Sequence, residues 1–327
     1  MCFCGNSQDY KIYRDSIFSA LKRQNYLSAN AHLDAALQIY PDNMELWYLG
    51  FAIEQTRILD YESYFIEGSN FISESKNLKK KFEIKLKSLK DTDEVFCRFY
   101  LANILGGMSI IQAKTNDWVD AAKNSRQAVA ELKNLVKSNP DFSAAYLGIG
   151  MFDYYMNKGI KKFIPFVQDK SLEAIKTLQK ALSADYPFND AAKSSLCWVL
   201  IDYGNFRKAD SIAKATLQAY PNHSAFIRIR AYIALWSNNY TLANELGCAM
   251  VQNAESRSPL NWSDLVSGTY IMVYSSTNTG NIEDALAACD NLLRRDIPKE
   301  FKEIPSLNKN LKYILETHEK YSGNKRK

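Results

Sequence analysis

The chain has 327 residues, of which 46 % are hydrophobic and 24 % charged, with a formal net charge of +5. That is ample apolar material for a folded core, which excludes a disordered chain, and too mild a charge for a protein that binds nucleic acid by charge alone. No apolar run approaches the length of a membrane span, and the six cysteines show no zinc-type spacing.

Residues 1–9, "MCFCGNSQD", stand apart. Apolar residues and cysteines give way to small and polar ones, as at the end of a secretory signal and its cleavage region. Two compartments therefore stay open. The protein is cytoplasmic if it starts at Met1, and exported to the periplasm or cell envelope if Met1 lies within a longer signal. Membrane association is expected only through such an export or anchoring signal. Cys2 and Cys4 form a C-x-C with no second pair nearby.

From Tyr10 onward one pattern recurs. An aromatic or apolar residue, two variable residues and an alanine read "NYLSA" to Ala29, "DWVDA" to Ala121, "NFRKA" to Ala209, "NYTLA" to Ala243 and "NIEDA" to Ala285. A copy without the aromatic, "KSLEA", ends at Ala174. Seven residues after each alanine comes Ala36, Ala128, Ala181, Thr216, Met250 or Leu292, on the same helical face. Phe206 and Tyr240 are 34 residues apart, as are Ala209 and Ala243. Pro41, Pro140, Pro187, Pro221 and Pro298 follow their copies, where a residue lacking an N–H ends a helix.

An amphipathic stretch precedes each copy, so the unit is a helical hairpin. Small residues let its two helices approach, and hairpins must stack because one alone cannot bury its apolar face. Seven hairpins are expected, with first helices beginning near Tyr10, Asn43, Asp93, Asp141, Asn189, His223 and Asn261. The second lacks the alanine. Its second helix runs long, through residues 74–90, where seven lysines form the solvated face of a stripe made by Phe71, Leu78, Phe82, Leu86 and Leu89. A capping helix is expected near Pro305–Tyr321, and residues 322–327 form a basic tail.

The period, the alanine and the proline together resemble the tetratricopeptide repeat. The expected fold is all-α: a right-handed superhelical solenoid over residues 10–321, interrupted by an insertion at 156–170. "AAYLGIG" followed by "KKFIPFVQD", with "FYLANILGG" upstream, narrows the resemblance. It is similar to bacterial tetratricopeptide-repeat proteins distantly related to the fungal inclusion-body-clearance proteins and their animal relatives. The likeness covers residues 95–300 best and the first 90 more loosely. It brings no catalytic residues, and its bacterial members often bear export signals.

Enzyme constellations are missing from the pattern. His32, His223 and His318 are scattered, and Gly148-Ile149-Gly150 sits within a predicted helix rather than after a strand, so it reads as close helix packing and not as a phosphate loop. The expectation is a non-enzymatic scaffold without cofactor or metal, holding a protein or peptide segment and no nucleic acid. In tetratricopeptide repeats the first helices line a groove, and helix phase puts Trp47, Phe51, Phe152, Trp198, Arg228, Tyr232, Trp236, Tyr270 and Tyr274 there. Aromatics with an arginine are typical of interaction hot spots. The competing reading of the same stripe is core, and about half are expected to be buried. A second function, binding of a small apolar ligand or lipid, rests on these aromatics and the insertion.

Within the insertion, Gly159 and Pro165 are expected to break the helix, leaving Lys161, Lys162, Phe163 and Phe166 in a loop too apolar to stay in water. Each large apolar side chain so exposed forgoes about 1.5–3 kcal/mol. The loop is therefore expected to dock on the protein itself with its lysines solvated. The double variant Phe163→Ser, Phe166→Ser should lower the thermal unfolding midpoint; an unchanged midpoint with lost binding to anionic vesicles would make the loop a recognition element instead.

Overall fold

A computed structural model of the chain describes residues 7–163 and 168–323. The described residues form α-helices and one short 3-10 turn, with no strand among them. Seven helix–turn–helix pairs follow one another. They are α1 (Ser7–Lys22) and α2 (Tyr26–Ile39), α3 (Met44–Asp60) and α4 (Tyr64–Leu86), α5 (Asp91–Lys114) and α6 (Trp118–Ser138), and α7 (Ala145–Phe163) and α8 (Ser171–Lys180). The chain continues with α9 (Phe188–Asp202) and α10 (Phe206–Ala219), α11 (Ser224–Trp236) and α12 (Tyr240–Glu255), and α13 (Trp262–Asn278) and α14 (Ile282–Leu293). A short α15 (Lys299–Lys302) leads to α16 (Pro305–Ser322), the expected cap.

Six of the seven turns use one device. Gln24, Glu62, Asn116, Gly204, Asn238 and Gly280 all have positive φ, between +51° and +89°. A left-handed residue ends a helix by turning its next N–H groups back onto open carbonyls. In four pairs both bonds of that motif form; after α1, the Gln24 N–H donates to the Leu21 carbonyl (2.9 Å) and the Asn25 N–H to that of Ala20 (2.9 Å). The residue that closes the first helix then opens the second. The side chains of Asn25, Asp117, Asn205 and Asn239 each accept the N–H three residues on. The recurring alanine comes fourth after this cap. Ala29, Ala174, Ala209, Ala243 and Ala285 are almost wholly buried, as are Ala121 and every residue seven positions on.

The fourth pair departs from this scheme, and from expectation. Helix α7 does not stop at Gly159 but runs to Phe163. Buried Asn157 ties the stretch to the start of α8, donating to Asp169 Oδ1 (3.1 Å) and Ser171 Oγ (3.0 Å). The side chains of Lys161, Lys162 and Phe163 and the whole of Phe166 lie outside the described residues, as do Cys2, Cys4 and the last four residues of the basic tail.

The helices build two compact units. Unit 1 comprises Met1–Leu59 and Glu67–Tyr203; unit 2 comprises Asp60–Ile66 and Gly204–Lys327. In unit 1, α5 carries much of the core with Phe99, Ile104, Leu105, Met108 and Ile111. By length and composition α5 could cross a membrane, contrary to the expectation above, but more than half of that stretch is buried inside the protein. Gly150 shows the close packing expected of it, since a Cβ there would meet the backbone N of Leu178 at 2.7 Å. In unit 2, Gly247 of α12 and Gly268 of α13 meet backbone to backbone; a Cβ on Gly268 would lie 2.8 Å from the Gly247 carbonyl oxygen. Helix α16 covers the end of this unit, burying Ile304, Leu307, Leu311 and Ile314 against Val273, Cys289 and Leu292.

Gly204 isolates the turn device, because its φ is +89° and a Cβ there would meet nothing within 4 Å. Gly204→Val should lower stability by about 1–2 kcal/mol from backbone strain alone. Gly204→Asn, copying Asn116 and Asn238, should cost clearly less; equal loss in urea unfolding would show that the left-handed turn is not what matters.

Candidate functional site

In unit 2, α11 and α13 lie side by side and α13 packs on α16. Their common face holds five of the sequence candidates. Arg228, Tyr232 and Trp236 follow at steps of four along α11, and Tyr270 and Tyr274 along α13. Tyr232 and Trp236 stack at 5.1 Å between ring centroids. Tyr270 and Tyr274 are 5.9 Å apart, and Tyr313 of α16, which sequence reasoning missed, lies 5.3 and 5.5 Å from them. The Tyr313 hydroxyl is hydrogen-bonded to Thr277 Oγ1 (3.2 Å). Burial and the neighbouring tyrosines push the Tyr270 hydroxyl up to about 12, so it keeps its proton at neutral pH. Trp236 remains 48 % exposed, and the tyrosines are half-buried. The strip offers apolar faces edged with the Tyr270 and Tyr274 hydroxyls, those of Tyr232 and Tyr313 being engaged by Ser267 and Asn310 and by Thr277.

The other end of this face is filled. Residues 60–66, the turn between α3 and α4, belong to unit 2 and are gripped by it. The Asp60 carboxylate accepts from Ser224 Oγ (2.6 Å) and Arg257 Nη2 (2.7 Å). Its carbonyl accepts from Arg228 Nη2 (2.8 Å) and Asn261 Nδ2 (3.4 Å). Glu62 accepts from Ser263 Oγ (2.6 Å), and the Tyr61 hydroxyl donates to the Pro259 carbonyl (3.0 Å). Arg228 also pairs with Asp264 (2.7 Å) and stands 3.6 Å from Glu62.

Three carboxylates thus share two guanidiniums, with Asp60 and Asp264 buried and Glu62 partly exposed. Burial pushes Asp264 up, to about 6, against the pull of Arg228. Burial would raise Asp60 as well, but Arg257 and Arg228 outweigh it and hold Asp60 below the usual carboxylate value. Arg228, expected to face a partner, is therefore taken up by the chain's own turn. Asp60, Glu62, Arg257 and Asp264 were missed because their partners lie up to 201 residues away. The turn "DYES" reads locally like any polar turn.

In unit 1 the candidates separate. Trp47 and Phe51 are in the core. The Trp47 indole donates to the Pro41 carbonyl (2.7 Å), meets Phe82 edge-on, and carries the Lys81 ammonium 3.5 Å from its centroid. Phe51 packs on Phe71 and over Gly107. Phe152 and Trp198 are half-buried.

Unit 1 has instead a cavity of about 900 Å³. It is framed by α1, the links entering α3, α5, α7 and α9, and the end of α4. Tyr48 stacks on Tyr100 (4.6 Å) and faces Phe188 (6.0 Å), which meets Phe99 (5.0 Å). Phe142 joins Phe99 to Phe96. On one side the Tyr10 hydroxyl donates to Glu45, and Arg14 lies beside the Phe18 ring with its buried Nε unpartnered.

No protein-family model matches this chain, and no curated protein does. Solved structures do. The chain of a crystal structure of the anaphase-promoting-complex hetero-tetramer Cut9–Hcn1 superposes with a TM-score of 0.57 at 12 % identity, covering 96 % of this chain and 53 % of that one. The fold is that of a tetratricopeptide-repeat protein. Weaker likenesses are to PilW, a type IV pilus biogenesis factor (TM-score 0.43, 15 % identity, 94 % of this chain and 99 % of that one), and to a tetratricopeptide repeat protein from Parabacteroides merdae ATCC 43184 (TM-score 0.42, 12 % identity, 94 % and 100 %). At these identities the likeness concerns the fold alone.

Arg228→Met should destabilise unit 2 by about 3–5 kcal/mol, because it strands the Asp264 and Glu62 carboxylates without their guanidinium. Thermal unfolding checks this. A loss under about 1 kcal/mol would place the cluster in contact with water.

Proposed function

We propose that the protein is a non-enzymatic scaffold that holds a segment of a partner protein on the first-helix face of its repeats. One observation carries this reading: unit 2 already holds a peptide segment there. It grips residues 60–64 through a main-chain carbonyl, two carboxylates and two tyrosine hydroxyls, with partners supplied by α11, the link between α12 and α13, α13 and α16. Beyond that turn the same face continues as the strip of Tyr232, Trp236, Tyr270, Tyr274 and Tyr313, where aromatic rings remain accessible. Large rings with hydroxyl donors suit a peptide, burying apolar side chains while bonding main-chain groups.

The motif resemblance over residues 95–300 supports, within this reading, kinship with bacterial relatives of the inclusion-body-clearance proteins. The lipid-binding alternative draws no comparable support, since the cavity of unit 1 is edged by carboxylates.

The test is capture with chemical cross-linking, using the full chain and the variant Trp236→Ala, Tyr274→Ala as baits. Trp236 is 48 % exposed, so the variant should stay folded, as its unfolding midpoint will show. Partners cross-linked through the face should disappear with the variant. The same proteins recovered at the same yield from both baits would overturn the assignment.

A further inference from the structure

We infer that the cavity of unit 1 is a second, separate binding site, and that its occupant is a peptide segment bearing lysine or arginine. The charge of its lining carries the argument first. Asp42, Glu45, Asp93, Asp141 and Asp185 line it against only Arg14 and Lys85, which is five carboxylates to two cations. The protein as a whole is +5, so this local excess runs against the average of the molecule. Four of the five, Asp42, Asp93, Asp141 and Asp185, are exposed. Lys81 stands near Asp42, but among the described residues no ion pair reaches Asp93, Asp141 or Asp185. The helix starts around the cavity offset part of the excess, at roughly +0.5 each. That charge is spread over N–H groups within one turn, whereas each carboxylate presents a full charge at the rim.

The rings beneath the rim are the second observation. Ten of the lining residues are aromatic. A cation over an aromatic face is attracted by the ring quadrupole, and two of these rings already carry one: the Lys22 ammonium is 4.5 Å from the Tyr186 centroid, and the Arg14 guanidinium carbon 5.8 Å from that of Phe18. Carboxylates above rings select a cation with an apolar stem, which describes lysine and arginine side chains.

The third observation separates a peptide from a free cation. The cavity is about 900 Å³, far more room than a metal ion or a simple amine fills, and a peptide fills it with apolar stems, backbone and cationic side chains together. A metal ion or a simple amine brings only the charge. An acidic segment would meet like charge at the rim.

The test is fluorescence anisotropy on the full chain with two labelled decapeptides, one alternating lysine and glycine, the other glutamate and glycine. The lysine peptide should bind and the glutamate peptide should not. Asp141→Asn with Asp185→Asn should weaken the lysine peptide by roughly tenfold, and Phe96→Ser, at a ring already 40 % exposed, should weaken it too. Thermal midpoints near that of the unaltered chain will show that these surface variants fold. Trp236→Ala with Tyr274→Ala should leave this binding untouched, which separates the site from the face of unit 2. Failure of the lysine peptide to bind, equal binding of both peptides, or unchanged affinity in the Asp141 and Asp185 variant would each overturn the inference.

Discussion

Two helices lie closely side by side only where a small residue stands at their contact. Alanine at the fourth position after the cap meets that requirement at Ala29, Ala121, Ala174, Ala209, Ala243 and Ala285, all buried. The rest of the architecture follows. Close helices need a short turn, and a turn this short needs a left-handed residue to end one helix and a capping residue to begin the next. Side chains such as Asn25, Asn205 and Asn239 do the capping because a short polar oxygen reaches the N–H groups that the helix leaves open. The apolar sides of each pair then have nothing to cover them except the next pair, and after the last pair α16 takes that role.

The second pair shows what happens when the requirement is dropped. Glu67 stands where the alanine would be, α4 runs to Leu86, and the turn at 60–66 packs in unit 2. Burying Asp60 and Asp264 beside Glu62 is expensive unless every charge is answered. Arg228 and Arg257 answer them, with Ser224, Asn261 and Ser263 filling the remaining positions. A cluster of this kind adds little net stability over an apolar contact of the same size, but removing any one partner leaves a buried charge alone.

The two surfaces differ in chemistry although the same repeat builds both. In unit 2 the accessible rings of the strip are tyrosine and tryptophan. In unit 1 the rings sit beneath carboxylates at the starts of the first helices, two of them directly after proline, in Pro41-Asp42 and Pro140-Asp141. The corresponding link of unit 2 reads Pro221-Asn222, with no charge.

The helical hairpins, their number, the buried alanines and the cap were legible in the sequence because each depends on residues within one 34-residue period, where spacing along the chain translates directly into position on a helix. The left-handed turns were also written there, in Gly204 and Gly280, but Gln24 and Glu62 in the same role disguise them. Only the tertiary structure decided which rings are core. Trp47 and Phe51 are buried and Trp236 is half exposed, yet all three occupy first helices with similar neighbours in sequence, and a helix rotated by one residue, about 100°, would exchange their roles. It alone joined Asp60 to Arg257 and Ser224, 197 and 164 residues away, and collected the lining of the unit 1 cavity from five stretches of chain. Local spacing carries no information about such meetings, because they are set by how the pairs stack.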